Sequence, residues 1–550
     1  MKHIRNLIFA ILILAISSCG KVPDKIFLNG KIYTLDKDNT VAEAIAVSND
    51  EIVDIGTSKD MKDKYSSAQQ IDLKGATVVP GFIDCDGNLI EFAKNLPNIY
   101  LTKYKSFHEL DSVLKVYTKK YDNNIWIKVM YLSDDEATID SLLSLNKDKL
   151  DKIDSLHNIY VINNTEEVAV CNSAMLKTLK ITDKTKQPAN GEIEIDSKTG
   201  ELTGFLFDDA TDMINENLRV YSKEDMLMLV EKAANELTKY GIIEVHDRNV
   251  NRESISIFRQ LIDANKFPIK MYAVLTSGDE TFKEYLTKGI EENYKNKLTV
   301  RAVSLDYDGG FGFQDAAMFR EYLNEPKIKI PYNSEKEIEN TLKDAWDKNF
   351  QVDIKTVGDK AVNVALSTIE KVRSDKNSDN HRTILQSVEF VNENDYQKIS
   401  SLKIIPSIKP ETTLEDSKIL PELISADNIK NHGQWQKLYQ SAGMVITGSD
   451  FPFQQISPLL QMYYLTTRQY PIDTLLSQAD NQRLSLQDAL KSYTMYAAYS
   501  GFEEKLRGTL EKGKKADFVV LSDDILNINP VSLLKVKVIM TVIAGNQYLN

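Results

Sequence analysis

Histidine and cysteine are scarce in this chain of 550 residues: six of the first and three of the second. The cysteines, Cys19, Cys85 and Cys171, form no Cys-x-x-Cys pair, which excludes a zinc knuckle and a disulfide framework. No basic run is long enough for a nucleic-acid surface, and the net charge is −13, so no nucleic-acid partner is expected. A Gly-x-Ser-x-Gly nucleophile elbow is missing. Asp308-Gly309-Gly310-Phe311-Gly312 is glycine-rich, but no Gly-Lys-Ser/Thr follows, so it reads as a turn rather than a phosphate cradle. After residue 19 no apolar run approaches the roughly 20 residues of a membrane span.

The N-terminus is rich in targeting features. Lys2 and Arg5 precede the ten-residue apolar stretch Leu7 to Ile16, the size of a signal-peptide core. Ile16-Ser17-Ser18-Cys19 then resembles a bacterial lipobox. The expectation is a signal peptide over residues 1–19, lipid attachment at Cys19 and a protein tethered to the membrane of a bacterial cell envelope. Two or three acyl chains suffice for stable anchoring.

Residues 26–56 read as short strands, with Asn29-Gly30 between apolar runs as a hairpin signal. The C-terminal runs 518–521 and 536–543 have the same character. Two β-rich ends predict a small β-sandwich built from residues 20–78 and 505–550. Between them, apolar strand-like runs alternate with helical stretches. Gly241 to His246, Phe267 to Val274, Leu298 to Leu305, Phe350 to Ile354, Thr383 to Leu385, Ile404 to Pro406 and Met444 to Thr447 are the strand candidates. That alternation predicts an α/β fold, a (β/α)8 TIM-like barrel over 79–504. Residues 95–225 fit the repeat poorly and are expected to form an inserted subdomain.

Four ordered motifs carry a family resemblance. They are Asn29 to Thr34, Val78 to Asp84, Thr447-Gly448-Ser449-Asp450-Phe451-Pro452, and Arg507 to Phe518. Together they resemble the amidohydrolase superfamily, specifically its family 3 branch. The resemblance implies hydrolysis of non-peptide carbon–nitrogen bonds by water activated on one or two divalent metals such as zinc, held at the barrel mouth. A bound cation can bring the pKa of water from about 15.7 to roughly 7.

The ligand positions depart from that pattern. Asp86 and Asn88 stand where the family's first strand carries two histidines, Lys355 where a later histidine is expected, and Gln386 where a Glu-His pair ends. The family's candidate bridging lysine aligns with Ser304, before Asp308-Gly309. Asp450 survives, and the resemblance gives it the role of general base. No metal is therefore expected. Asp86, Asn88, Lys355 and Gln386 become pocket residues for a small ligand or substrate, and Lys355 is expected to serve as counter-ion for Asp86 and Asp450. Three functions follow: a non-metallated, weakly active or inactive family member; an active hydrolase of amide or N-acyl substrates using an altered metal site or Asp450 with Lys355; or a largely structural or partner-binding surface lipoprotein. Cys85, beside the mouth, lacks an evident histidine partner. His246 reads as a structural residue held by Asp247 or backbone, and His108, His157, His381 and His432 as surface residues.

Overall fold

In the computed structural model the described residues are 22–101, 106–132, 136–216, 221–323, 331–374, 381–471 and 480–550. The leader and Cys19 lie outside them. Two compact units emerge: residues 1–89 with 231–550, and residues 90–230.

Within the first unit, eight parallel strands line up among the described residues. They are β1 (Phe82–Gly87), β2 (Ile242–Val250), β3 (Lys270–Thr276), β4 (Leu298–Asp306), β5 (Gln351–Lys355), β6 (Ile384–Gln386), β7 (Ile405–Ile408) and β8 (Ile446–Thr447). Each pairs in parallel with the next. A parallel bridge from Gly87 to Phe451 brings the last strand back to the first. This is the TIM-like barrel, nearly closed. The sequence patterns behind it are local. Ser334 opens the helix Glu335–Asp347 with a capping box, and Pro410 occupies the first turn of Pro410–Leu423, where its fixed φ and missing N–H suit a helix start.

The closing seam depends on a glycine. A Cβ on Gly448 would lie 2.3 Å from the Asp86 Cβ and 2.5 Å from its nitrogen. Only the absence of a side chain lets the residues after β8 press against β1 at that point.

Two further sheets form the sandwich. One has the order Glu51–Gly56, Ala44–Ser48, Lys25–Leu28, Gln69–Asp72; the other runs Asn546–Leu549, Val538–Ile543, Phe518–Leu521, Thr77–Pro80, Lys31–Tyr33, Val41–Ala42. Phe27, Ile45 and Val47 from the first sheet pack on Ile32, Val78, Phe518 and Val542 from the second. Phe27 and Phe518 meet edge-on with centroids 5.0 Å apart.

One local expectation differs from the structure. Asn29-Gly30 does not close a hairpin: Lys25–Leu28 and Lys31–Tyr33 enter different sheets, so the turn is the corner between them. The motif Val78 to Asp84 spans two strands. It divides at Gly81, with Thr77–Pro80 in the sandwich and Phe82–Gly87 in the barrel.

The second unit holds a six-stranded mixed sheet, ordered Gly191–Ile195, Leu202–Asp208, Val168–Cys171, Asn158–Ile162, Trp126–Tyr131, Ile99–Leu101.

Candidate functional site at the barrel mouth

Side chains two apart on a strand share a face. On β1 that places Asp84 below Asp86; on β2, Glu244, His246 and Arg248; on β5, Asp353 and Lys355. Where β7 ends, Lys409 sits at the start of the helix Pro410–Leu423. A cation is disfavoured at a helix N-terminus, where the dipole is positive. Carboxylates hold it there instead. The Lys409 ammonium lies 2.8 Å from Asp86 Oδ2 and 2.9 Å from Asp450 Oδ1.

The three groups differ in access. Side-chain exposure is 6% for Asp86 and 9% for Lys409, but 27% for Asp450. Burial works against the charge of Asp86, yet Lys409 and Arg248 outweigh it and hold the carboxyl below the ordinary aspartate range. For Asp450 burial prevails and the carboxyl is raised, against Lys409. Burial opposes the Lys409 charge, but Asp450 and Asp86 raise its ammonium above the usual lysine value. Asp450 also carries a left-handed φ of 65°, and its N–H donates to the Asp86 carbonyl at 2.9 Å. Non-glycine residues held in this region concentrate at functional sites.

A second layer surrounds the triad. Arg248 approaches Asp306 at 3.1 Å and Asp353 at 3.4 Å. Gln386 donates to Asp353 at 3.2 Å and to the Cys85 carbonyl at 3.3 Å. Asp84 accepts from the N–H groups of Asp86 and Ser449, each at 3.1 Å, while burial pushes its carboxyl up to about 7. Asp353 rises to about 6 for the same reason, against Arg248. Asp247, on the opposite face of β2, accepts from the Leu89 N–H at 3.0 Å and is pushed by burial up to about 8. Asp308 is no flexible turn residue. Fully buried, its carboxylate accepts from Val357, Gly358 and Ala317 N–H groups at 2.8, 2.9 and 2.8 Å, tying the loop after β4 to the loop after β5.

The sequence-selected residues fall out as follows. Asp86 and Asp450 come together. The counter-ion position expected for Lys355 is taken by Lys409. Lys355 is half-buried at the end of β5 and acts on Asp86 and Asp450 at longer range. Gln386 packs beside Asp353, one layer in. Asn88 is half-buried and donates its backbone N–H to Phe451 at 3.0 Å. Ser304 bonds to the Leu275 carbonyl at 3.2 Å, spent on the neighbouring strand. Burial raises the Cys85 thiol well above its usual value, so a thiolate nucleophile is disfavoured there.

The histidines need correction. His246 is structural, but Glu244 faces it at 3.4 Å rather than Asp247, and Tyr272 packs on its ring at 4.6 Å. His157 and His432 are buried, not superficial. His157 bonds to the Tyr121 carbonyl at 2.9 Å, and His432 to Glu389 at 2.7 Å, where burial holds its imidazole down to about 3. Both occur in polar stretches whose burial comes from distant residues. His108 is exposed, and His381 stacks half-buried on Trp346.

Lys409, Arg248 and Asp353 were missed. Each had a signal: Lys409 follows a strand-like run and precedes Pro410, Arg248 stands two residues past His246, and Asp353 two before Lys355. Among the described residues, no group of three or more His, Cys, Asp or Glu is arranged to hold a metal ion.

The amidohydrolase family profile matches residues 69–548. The chain belongs to this family. The putative amidohydrolase YtcJ of Bacillus subtilis is 24% identical over 529 residues, spanning 94% of this chain and 98% of its own length. The N-substituted formamide deformylase of Arthrobacter pascens is 24% identical over 545 residues, spanning 95% and 97%. Among solved structures, an uncharacterized metal-dependent hydrolase from Pyrococcus horikoshii OT3 superposes with a TM-score of 0.71 at 24% identity, covering 92% of this chain and 99% of that one.

Proposed function

We propose that this amidohydrolase-family chain binds a small ligand at a barrel mouth that works without a divalent metal, and that it is weakly active or inactive as a hydrolase. The observation carrying the reading is the Lys409 ammonium bridging Asp86 and Asp450 at 2.8 and 2.9 Å. The donor set does not fit a divalent cation. An ammonium has no lone pair to give, and its charge repels a second cation at that point. Imidazoles suit such metals, and aspartate and asparagine stand at the first-strand positions. The test is metal analysis of the purified protein with a thermal melt before and after chelation. Well under one equivalent of transition metal, and an unshifted melt, are expected; one tightly held equivalent per chain would overturn the reading.

A second reading rests on the exposure of Asp450. A carboxylate beside a fixed ammonium, 27% open, could take a proton from an attacking water while Lys409 stabilises developing negative charge. The deformylase resemblance suggests N-acyl and formamide substrates for a turnover assay. Turnover that resists chelation and is lost in Asp450→Asn supports this second reading.

We further propose that Cys19 carries lipid and tethers the protein to the envelope, on the strength of the residues before it. Among the described residues no helix is long and apolar enough to cross a membrane. Cys19→Ser should move the protein from the membrane fraction to the soluble one.

A further inference from the structure

At the barrel end opposite the mouth, the loops entering β3 and β4 join the last sandwich hairpin around a cavity of about 420 Å³. Cavities of a few hundred Å³ suit small organic ligands. Three ammonium groups, Lys266, Lys295 and Lys297, line it against one carboxylate, Glu231, in a chain whose overall charge is −13. Two of the lysines are matched: Lys266 pairs with Glu231 at 3.0 Å and Lys295 with Asp263 at 2.6 Å. Lys297 is not. Its ammonium donates to the Pro268 backbone carbonyl, and among the described residues no carboxylate pairs with it. Burial depresses it to about 8. Lys297 is half-buried, Asp517 favours its charge only from beyond ion-pair distance, and a bound anion would offset the cost of holding the cation there. Beside it, Ile262 and Phe267 supply an apolar wall, and Asn235 and Asn546 supply amides.

We propose that this cavity binds a small organic oxyanion, with Lys297 as its charge partner and Phe267 and Ile262 against its apolar body. The site is separate from the mouth: residues 265–268 and 295–297 precede β3 and β4, whereas the mouth groups stand at strand C-termini. The assignment therefore stands independently of whether the mouth hydrolyses anything.

Calorimetric titration of the full chain with benzoate, phenyl phosphate and, as the neutral control, benzyl alcohol tests it. Saturable binding of at least one anion and not of the alcohol is expected, weakened tenfold or more by Lys297→Met and unchanged by Asp450→Asn. Benzoate alone binding assigns a carboxylate, phenyl phosphate alone a phosphate ester, and both assign the shared oxyanion chemistry. Absence of binding by either anion, equal binding of the alcohol, full affinity in Lys297→Met, or loss of binding in Asp450→Asn overturns the proposal. If Lys297→Met does not fold, Lys295→Gln decides: its side chain is 55% exposed, and a weakening of severalfold is expected, with unchanged affinity counting against the site.

Discussion

Lys409 sets the electrostatics of the mouth because Asp86 and Asp450 face it within hydrogen-bonding distance and would otherwise face each other. Replacing it by Met leaves two largely desolvated carboxylates without their cation. Removing one partner of a buried ion set typically costs about 3–5 kcal/mol, so urea unfolding of Lys409→Met should show a loss of that order, partly restored when Asp86→Asn is added. A loss under about 1 kcal/mol would mean the bridge is solvent-screened in solution. Asp308 gives a second prediction. Burial raises its carboxyl from 3.8 to about 7 despite three N–H donors. The folded protein thus holds this proton more tightly than the unfolded chain, and the group's contribution to stability is fully present below about pH 4 and lost as pH rises to about 7. Stability of the wild type minus that of Asp308→Asn should fall between pH 5 and 7.5. A flat difference would show that Asp308 ionises normally. At this scale the sequence revealed Asp86 and Asp450, since both belong to motifs of fixed spacing. Lys409 stayed hidden because a lysine before a helix-starting proline looks like any solvent-facing loop residue until β7 is placed beside β8, which closes onto β1.

Barrel elements were legible wherever a buried strand makes a continuous apolar run: β2 to β7 each lie on or beside one. The failures came where local chemistry underdetermines the partner. Asn29-Gly30 gives a sharp turn, yet the sheets on its two sides pack through Ile45 and, far along the chain, Phe518. Gly81 likewise gives no local sign that the chain changes sheets. The closing seam yields a prediction of its own. Gly448→Ala would drive a methyl group into Asp86 at 2.3 Å, where backbone as well as side chain must give way. Overpacking typically costs about 1–3 kcal/mol. A lowered melting temperature, with a disturbed ion triad reported by altered ligand binding, is the expected result; an unchanged melt would mean that the seam opens freely.

The chain as a whole combines pieces of different self-sufficiency. Residues 90–230 enclose their own apolar clusters, Ile127, Val129, Ile159 and Val161 on one face of the sheet and Tyr160, Ile162, Met175 and Leu206 on the other. Expressed alone, this segment should unfold cooperatively in urea, as circular dichroism would record; a gradual, featureless transition would show dependence on the rest. The β-sandwich has no such autonomy, because Phe518–Leu521 pairs with Thr77–Pro80. During synthesis an early strand therefore waits, its hydrogen-bonding edge bare, until more than four hundred further residues have been made. Until residues 518–521 emerge from the ribosome, the growing polypeptide carries an open edge able to pair with other chains. A chaperone that shields residues 77–80 would matter most in that interval, and a stop codon before residue 518 would leave the gap permanent.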